Sequence, residues 1–168
     1  NKWTLSFSAV QDGPGNSWRF ISLALIPNAP ADDAARQVIA GELEVWAKSM
    51  REAQIRELYG HLYDGPCALG ASTLNGEYFM FNRAEQLMAM MNTAILWGRA
   101  QKSEMTCGRI DVAGPVATVL GRWDLQSLAF GSAQYPVAAT LVKTDKGWKT
   151  IALCTGAAPG TGTGIPIF

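Results

Sequence analysis

The sequence predicts an α+β domain in which about three helices pack on one face of a twisted antiparallel sheet. The chain has 168 residues, 48% of them hydrophobic and 17% charged, which suits one globular domain. Apolar residues recur at helical spacing between residues 32 and 95, and from residue 102 onward the pattern is that of consecutive strands. Helices followed by a long meander indicate a sheet with its helices gathered on one side.

The first 31 residues predict a β-hairpin that precedes the main domain. Alternation of apolar and polar residues begins at Trp3, Asp12-Gly13-Pro14-Gly15 has the composition of a turn, and Trp18 to Ile26 is again extended. We therefore expect an N-terminal extension over residues 1–31, the main domain over 32–156, and a flexible glycine-rich tail over 157–168.

Three helices are predicted within the main domain. Asp32 is the expected N-cap of the first helix. Its apolar stripe consists of Val38, Ile39, Leu43, Trp46 and Met50. A short second helix ends at Gly60. Asn82 is expected to cap the third helix with Glu85 reaching back to the cap. The buried face of that helix consists of Leu87, Met88, Met91 and Ile95.

Six strands complete the main domain. Two short ones, Cys67 to Ala71 and Tyr78 to Phe81, flank a turn at Asn75-Gly76. Four longer ones form the meander, and their expected bounds are Glu104 to Ala113, Val116 to Leu128, Tyr135 to Lys143 and Trp148 to Thr155. Consecutive strands joined by short turns predict antiparallel pairing.

Charge, histidine and cysteine content exclude several classes of function. Fourteen Lys and Arg residues balance fourteen Asp and Glu residues, so nucleic acid is not an expected partner. No apolar run approaches the roughly 20 residues that span a membrane. His61 is the single histidine, and Cys67, Cys107 and Cys154 are widely spaced, so neither a metal site nor a disulfide framework is predicted. We expect no metal, no organic cofactor, and a reducing, cytoplasmic location.

Several motifs in order resemble the nuclear transport factor 2-like superfamily, which includes SnoaL-like cyclases and ketosteroid isomerases. The resemblance covers about residues 32–156 and includes the helix ending in Leu58-Tyr59. The other motifs that carry it are Asn75-Gly76-Glu77 before Asn82-Arg83-Ala84-Glu85, Gly121-Arg122-Trp123-Asp124-Leu125, and Asp145-Lys146-Gly147-Trp148-Lys149. It implies a cone-shaped, cystatin-like α+β fold around a hydrophobic pocket, and a homodimer whose contact is the apolar sheet face.

The Arg122-Trp123-Asp124 segment is similar to the Arg-x-Asp pair of limonene epoxide hydrolase-like members of that superfamily. The resemblance implies that Arg122 and Asp124 lie inside the cone, whereas Cys154 occupies the position of a further acid. If Gly114-Pro115 is the turn, Cys107, Arg109 and Asp111 share the sheet face of Arg122 and Asp124. The alternative is a solvated ladder of ion pairs on the outside of the sheet.

The candidate catalytic residues are Asp124 as general base, Arg122 as the group that stabilises an oxyanion, and His61 as a second acid or base. An exposed loop histidine in a turn is the alternative for His61. The candidate substrate contacts are Tyr59, Tyr63, Asp64, Arg109, Trp123 and Cys154. The predicted function is a cofactor-independent enzyme that acts on a hydrophobic small molecule as an isomerase, a dehydratase or a cyclase, or in the manner of an epoxide hydrolase. A non-catalytic ligand-binding or dimerisation module of the same fold is the alternative.

Overall fold

The computed structural model describes residues 3–12, 17–27, 32–72, 78–96, 99–127 and 131–156. The turn expected at Asn75-Gly76 and the expected tail at 157–168 lie outside these residues. The predicted N-terminal hairpin is present. Its strands, β1 (Trp3–Asp12) and β2 (Ser17–Pro27), pair antiparallel in a two-stranded sheet of their own.

Three helices are found where the apolar periodicity predicts them: α1 (Asp33–Glu52), α2 (Ile55–Tyr59) and α3 (Ala84–Leu96). The Asp32 carboxylate caps α1 by accepting a hydrogen bond from the Ala35 amide at 3.0 Å. Val38 is exposed, contrary to expectation, because it lies at the edge of the buried stripe. No helix in the described part of the chain is long and apolar enough to cross a membrane.

The start of α3 differs in detail from the predicted capping box. The Asn82 amide donates to the side-chain oxygen of Gln86 at 3.2 Å, so Gln86 takes the place expected for Glu85. The Glu85 carboxylate instead accepts a hydrogen bond from the Tyr59 hydroxyl at 3.0 Å. This bond links the end of α2 to the first turn of α3.

The main sheet is curved and has six strands in the order β4-β3-β8-β7-β6-β5. The strands are β3 (Ala68–Ser72), β4 (Tyr78–Phe81), β5 (Lys102–Ala113), β6 (Val116–Ser127), β7 (Gly131–Thr144) and β8 (Gly147–Thr155). The antiparallel meander from β5 to β8 is confirmed, as is the α+β class. The sheet is nevertheless mixed, because β3 pairs parallel with β8.

The core lies between the helices and one face of this sheet. Its largest fully buried apolar side chains are Trp46, Ile39, Leu43, Ile55, Leu58, Leu69, Leu141 and Val119. Two arginines of α1 bind main-chain carbonyls of the edge strand β5: Arg36 Nε donates to Ile110 at 3.1 Å, and Arg51 donates to Ser103. These bonds shield an edge that would otherwise offer unpaired carbonyls to another strand.

Candidate functional site

A small apolar cavity lies between α1, α3 and the sheet face that carries Trp123 and Leu125. Its volume is about 40 Å³. The side chains around it come from six elements, which is the arrangement expected of an interior ligand pocket. They are Trp46, Met50, Leu69, Leu87, Met90, Met91, Trp123, Leu125, Tyr135, Leu153 and Thr155, together with Gly70.

The polar atoms of the cavity lining are few and uncharged. Trp46 is 1% exposed, and its indole N–H has no hydrogen-bond partner among the described residues. The indole N–H of Trp123, in contrast, donates to Ser103 Oγ at 2.8 Å. Burial raises the pKa of Tyr135 to about 12, so this phenol is neutral at physiological pH. None of the described residues that line the cavity carries a carboxylate, an imidazole or an amine.

Arg122 and Asp124 lie on the opposite, outer face of the sheet rather than inside the cone. Arg122 Nε is 3.1 Å from Asp124 Oδ1, and Nη2 donates to Oδ2 at 3.2 Å. The Arg122 side chain is 52% exposed and that of Asp124 is 14% exposed. Side chains alternate along a strand, so Trp123 and Leu125 occupy the face that packs on the helices. Burying the charged pair in their place would cost desolvation energy.

Arg109 and Asp111 share a sheet face with Arg122 and Asp124, as the sequence predicts, but that face is the outer one, so Arg109 does not contact the cavity. Arg109 Nε donates to Asp111 Oδ2 at 2.6 Å, and these residues pair across β5 and β6 with Leu120 and Thr118. The expectation for Cys107 is wrong, because a β-bulge between Cys107 and Arg109 inserts one extra residue. Cys107 therefore packs towards the core, and burial raises the pKa of its thiol.

Cys154, in contrast to Cys107, points away from the cavity and the core. Its neighbours along β8, Leu153 and Thr155, both line the cavity, so Cys154 lies on the outer face. Its register partner there is Ala138. A substrate contact by Cys154 inside the cavity does not agree with this placement.

His61 lies after α2 and contacts α1 rather than the outer face of the sheet. Its Nδ1 is 2.5 Å from Glu42 Oε2, and both side chains are partly buried. The main chain of His61 also accepts a hydrogen bond from the Thr150 amide at 2.9 Å. The structure therefore does not bring His61 together with Asp124, whose carboxylate contacts Arg122 and Lys102. Sequence reasoning missed Glu42, since nothing in the local pattern of α1 distinguishes it from other polar positions.

The remaining predicted contacts, Tyr59, Tyr63 and Asp64, do lie together. They share a surface groove with the segment between β4 and α3. Glu85 belongs to the same groove, although the sequence interpretation assigned it only to helix capping. The structure thus separates the predicted residues into four places: an interior cavity containing Trp123, the outer sheet face, this groove, and the contact of His61 with Glu42.

The fold is similar to that of many solved structures. One is an NTF2-like protein of unknown function from Shewanella baltica, with a TM-score of 0.62, 11% identity, and coverage of 79% of this chain and 100% of that one. An NTF2-like protein from Cytophaga hutchinsonii gives a TM-score of 0.61 at 14% identity, covering 73% and 98% of the two chains. A domain of unknown function with a cystatin-like fold from Nostoc punctiforme gives 0.60 at 10% identity, covering 76% and 80%. No family model and no curated protein matches the sequence.

Proposed function

We propose that this chain, whose fold is that of the nuclear transport factor 2-like proteins, binds a compact hydrophobic molecule in its interior cavity. The observation that carries the proposal is an apolar cavity whose lining includes Trp46, because the buried indole N–H of Trp46 has no hydrogen-bond partner among the described residues. Leaving a buried donor unpaired costs about 1–3 kcal/mol, and a ligand oxygen would remove that cost. The preferred ligand therefore combines an apolar body with one hydrogen-bond acceptor.

The cavity must expand to admit such a molecule. Its volume of about 40 Å³ is well below the roughly 150 Å³ of an engineered cavity that binds benzene. Met50, Met90 and Met91 all line it, and methionine has three rotatable bonds and adapts readily to irregular spaces. We infer that ligand entry moves these side chains rather than the sheet.

Binding without catalysis is supported better than an isomerase, dehydratase, cyclase or epoxide hydrolase reaction. Asp124 and Arg122, the predicted acid–base pair, lie on the face of the sheet opposite the cavity. The described cavity lining offers the neutral phenol of Tyr135 as its one titratable group. The catalytic roles of Asp124, Arg122 and His61 stay predictions, to be tested by substitution.

A matched pair of ligands tests the proposal. Cyclohexanone and methylenecyclohexane have nearly the same shape, but only the ketone carries an oxygen that accepts a hydrogen bond. We expect cyclohexanone to shift the indole N–H resonances of Trp46 and Trp123 and to bind about 2- to 10-fold more tightly, the value of one hydrogen bond. Trp46→Phe should abolish this preference. The control Trp148→Phe, which alters a buried tryptophan away from the cavity lining, should retain it.

Two results would reject the proposal. The first is that neither ligand perturbs the indole resonances of the cavity. The second is that Trp46→Phe and Trp148→Phe change the affinities equally.

We also propose that a second copy of the chain docks on the outer face of the sheet. This face alternates three cations, Lys102, Arg109 and Arg122, with three carboxylates, Glu104, Asp111 and Asp124. Such a surface can complement itself across a two-fold axis. The apolar face expected to form the dimer contact is covered by the helices instead.

The exposed side chain of Leu120 lies between the charged pairs and provides the test of this dimer. Sedimentation should give a dimer for the parent chain and a monomer for Leu120→Asp. The control Val38→Asp changes an exposed apolar residue of α1 and should remain dimeric. A monomeric parent chain would overturn the dimer proposal.

We also propose that the protein is located in the cytoplasm. None of the three cysteines forms a disulfide, and all three lie in described segments. This supports a reducing compartment, where thiols persist. Blocking the thiols of protein isolated from its own cells, before and after reduction, measures whether they are reduced there.

A further inference from the structure

A second concave site lies on the surface where the end of α2, the following loop and the start of α3 meet. It is distinct from the interior cavity, and the two share none of their lining residues. Its volume is about 430 Å³, which falls in the range of small-molecule sites. We name it the tyrosine groove, and its lining consists of Tyr59, Tyr63, Asp64, Gly65, Pro66, Asn82, Arg83, Ala84 and Glu85.

Both aromatic rings of the tyrosine groove are held in place. The Tyr59 hydroxyl donates to Glu85 Oε1 at 3.0 Å, which fixes the ring against the first turn of α3. The Tyr63 ring lies against the main chain of Gly65, so that a Cβ at position 65 would be only 2.8 Å from Tyr63 Cε1. The Tyr63 amide donates to the Thr150 carbonyl at 3.0 Å. The rings are therefore organised before any ligand arrives, which lowers the entropic cost of binding.

Two carboxylates, those of Glu85 and Asp64, act on the Tyr59 phenol. The hydrogen bond to Glu85 and the charges of Glu85 and Asp64 raise the pKa of the Tyr59 phenol. The Glu85 main chain and the Tyr59 hydroxyl lower the pKa of Glu85, so its carboxylate stays ionised. Within the groove lining, Arg83 is the one cation beside the carboxylates of Asp64 and Glu85. Asp145, Lys146 and Lys149 line the adjoining concave surface, which shares both tyrosines and Asp64.

The lining favours an organic cation over a metal ion. The described residues contain no group of three or more His, Cys, Asp or Glu side chains that could hold a metal. Tyrosine rings attract an ammonium group through their π faces, and alkyl groups on the nitrogen contact the same rings. Carboxylates at the edge of such an aromatic surface add Coulomb attraction.

We propose that the tyrosine groove binds a small alkylammonium ligand, with Tyr59 and Tyr63 contacting its alkyl groups and Asp64 and Glu85 balancing its charge. The inference does not depend on the function proposed for the interior cavity. It rests on the two fixed rings, the two carboxylates and the dimensions of the groove.

Choline and its neutral isostere 3,3-dimethylbutan-1-ol provide the probe, because they differ by the charge on one central atom. Backbone amide resonances would be followed during titration at constant ionic strength. Choline should shift amides of residues 59–66 and 82–85 with a Kd in the millimolar range, as expected for a few weak contacts. The isostere should bind at least about fivefold more weakly.

Three substitutions separate the contributions to binding. Glu85→Gln keeps an oxygen that can accept the Tyr59 hydrogen bond and removes the charge, so the Kd for choline should rise about threefold to fivefold. Tyr63→Leu removes a ring and should weaken binding by a similar factor. Arg83→Gln removes the opposing cation and should tighten binding about twofold to threefold. The control is Phe79→Leu, which changes an exposed aromatic residue outside the groove and should leave the Kd for choline unchanged.

The proposal is overturned if the isostere binds as well as choline, or if the shifts map outside the groove. It is also overturned if Arg83→Gln weakens binding. Glu85 and Arg83 are exposed, so these two variants remain informative even if Tyr63→Leu fails to fold. Loss of cyclohexanone binding to the interior cavity would leave this result untouched.

Discussion

Replacing Met91 with alanine enlarges the interior cavity and should create a ligand-dependent gain in stability. Met91 is 3% exposed and lines the cavity. The change deletes the three heavy atoms beyond Cβ, worth about 0.8 kcal/mol each in transfer free energy, or about 2.4 kcal/mol. The space left behind adds a further cost, so the free energy of unfolding should fall by about 3 to 4 kcal/mol.

Met80→Ala is the matched control. Met80 is 49% exposed and does not line the cavity, so the same chemical change should alter the free energy of unfolding by less than about 0.5 kcal/mol. Urea unfolding followed by tryptophan fluorescence would measure both variants.

Benzene supplies the second half of this test. At ten times its Kd, a ligand that binds only the folded state adds about 1.4 kcal/mol to the free energy of unfolding. Benzene should therefore restore part of the free energy of unfolding that Met91→Ala loses. In Met80→Ala, benzene should change the free energy of unfolding no more than it does in the parent chain. Equal costs for the two variants, or equal effects of benzene on both, would refute the assignment of Met91 to an expandable cavity.

The other predictions concern the β5–β6 pairing, the outer carboxylate and the buried phenol. Gly121→Ala should lower the free energy of unfolding by about 1–3 kcal/mol, because its Cβ would collide with the Thr106 carbonyl oxygen. Gly108→Ala in the adjacent bulge meets its nearest atom at 3.5 Å and should be close to neutral in the same urea assay. Asp124→Asn should change the affinity for cyclohexanone by less than about twofold, which is less than the loss of one hydrogen bond would cause. If the variant no longer binds cyclohexanone, Asp124 belongs to the binding site after all. Because burial raises the pKa of Tyr135 from 10.0 to about 12, its unfolded form loses a proton first. Stability should therefore fall by about 1.4 kcal/mol per pH unit between these values, but not in Tyr135→Phe.

Most of the secondary structure was predictable because its signals are local. The polar Asp32 before an apolar stripe predicted the start of α1, and period-two alternation predicted the four meander strands. The parallel pairing of β3 with β8 was missed, since alternation along a strand is the same in either direction. The role of Gln86 at the start of α3 was missed because Gln86 and Glu85 are adjacent and both can reach the cap.

The sequence also predicted which charged residues share a sheet face, but the bulge altered one member. Arg109, Asp111, Arg122 and Asp124 do lie together, as strand alternation requires. One extra residue at the bulge turned Cys107 to the opposite face. A bulge depends on how two strands fit each other, so neither strand's own sequence reveals it.

The sequence by itself determined the helices, the meander and the separation of an apolar from a charged sheet face, because each follows from spacing along the chain. Only the tertiary structure decided that Trp123 faces the interior and Asp124 the outside. It also brought His61 to Glu42, and Tyr59 to Glu85, across 19 and 26 residues of sequence. These outcomes depend on where helices dock on the sheet, and docking is governed by the free energy of burying apolar surface and keeping charges hydrated.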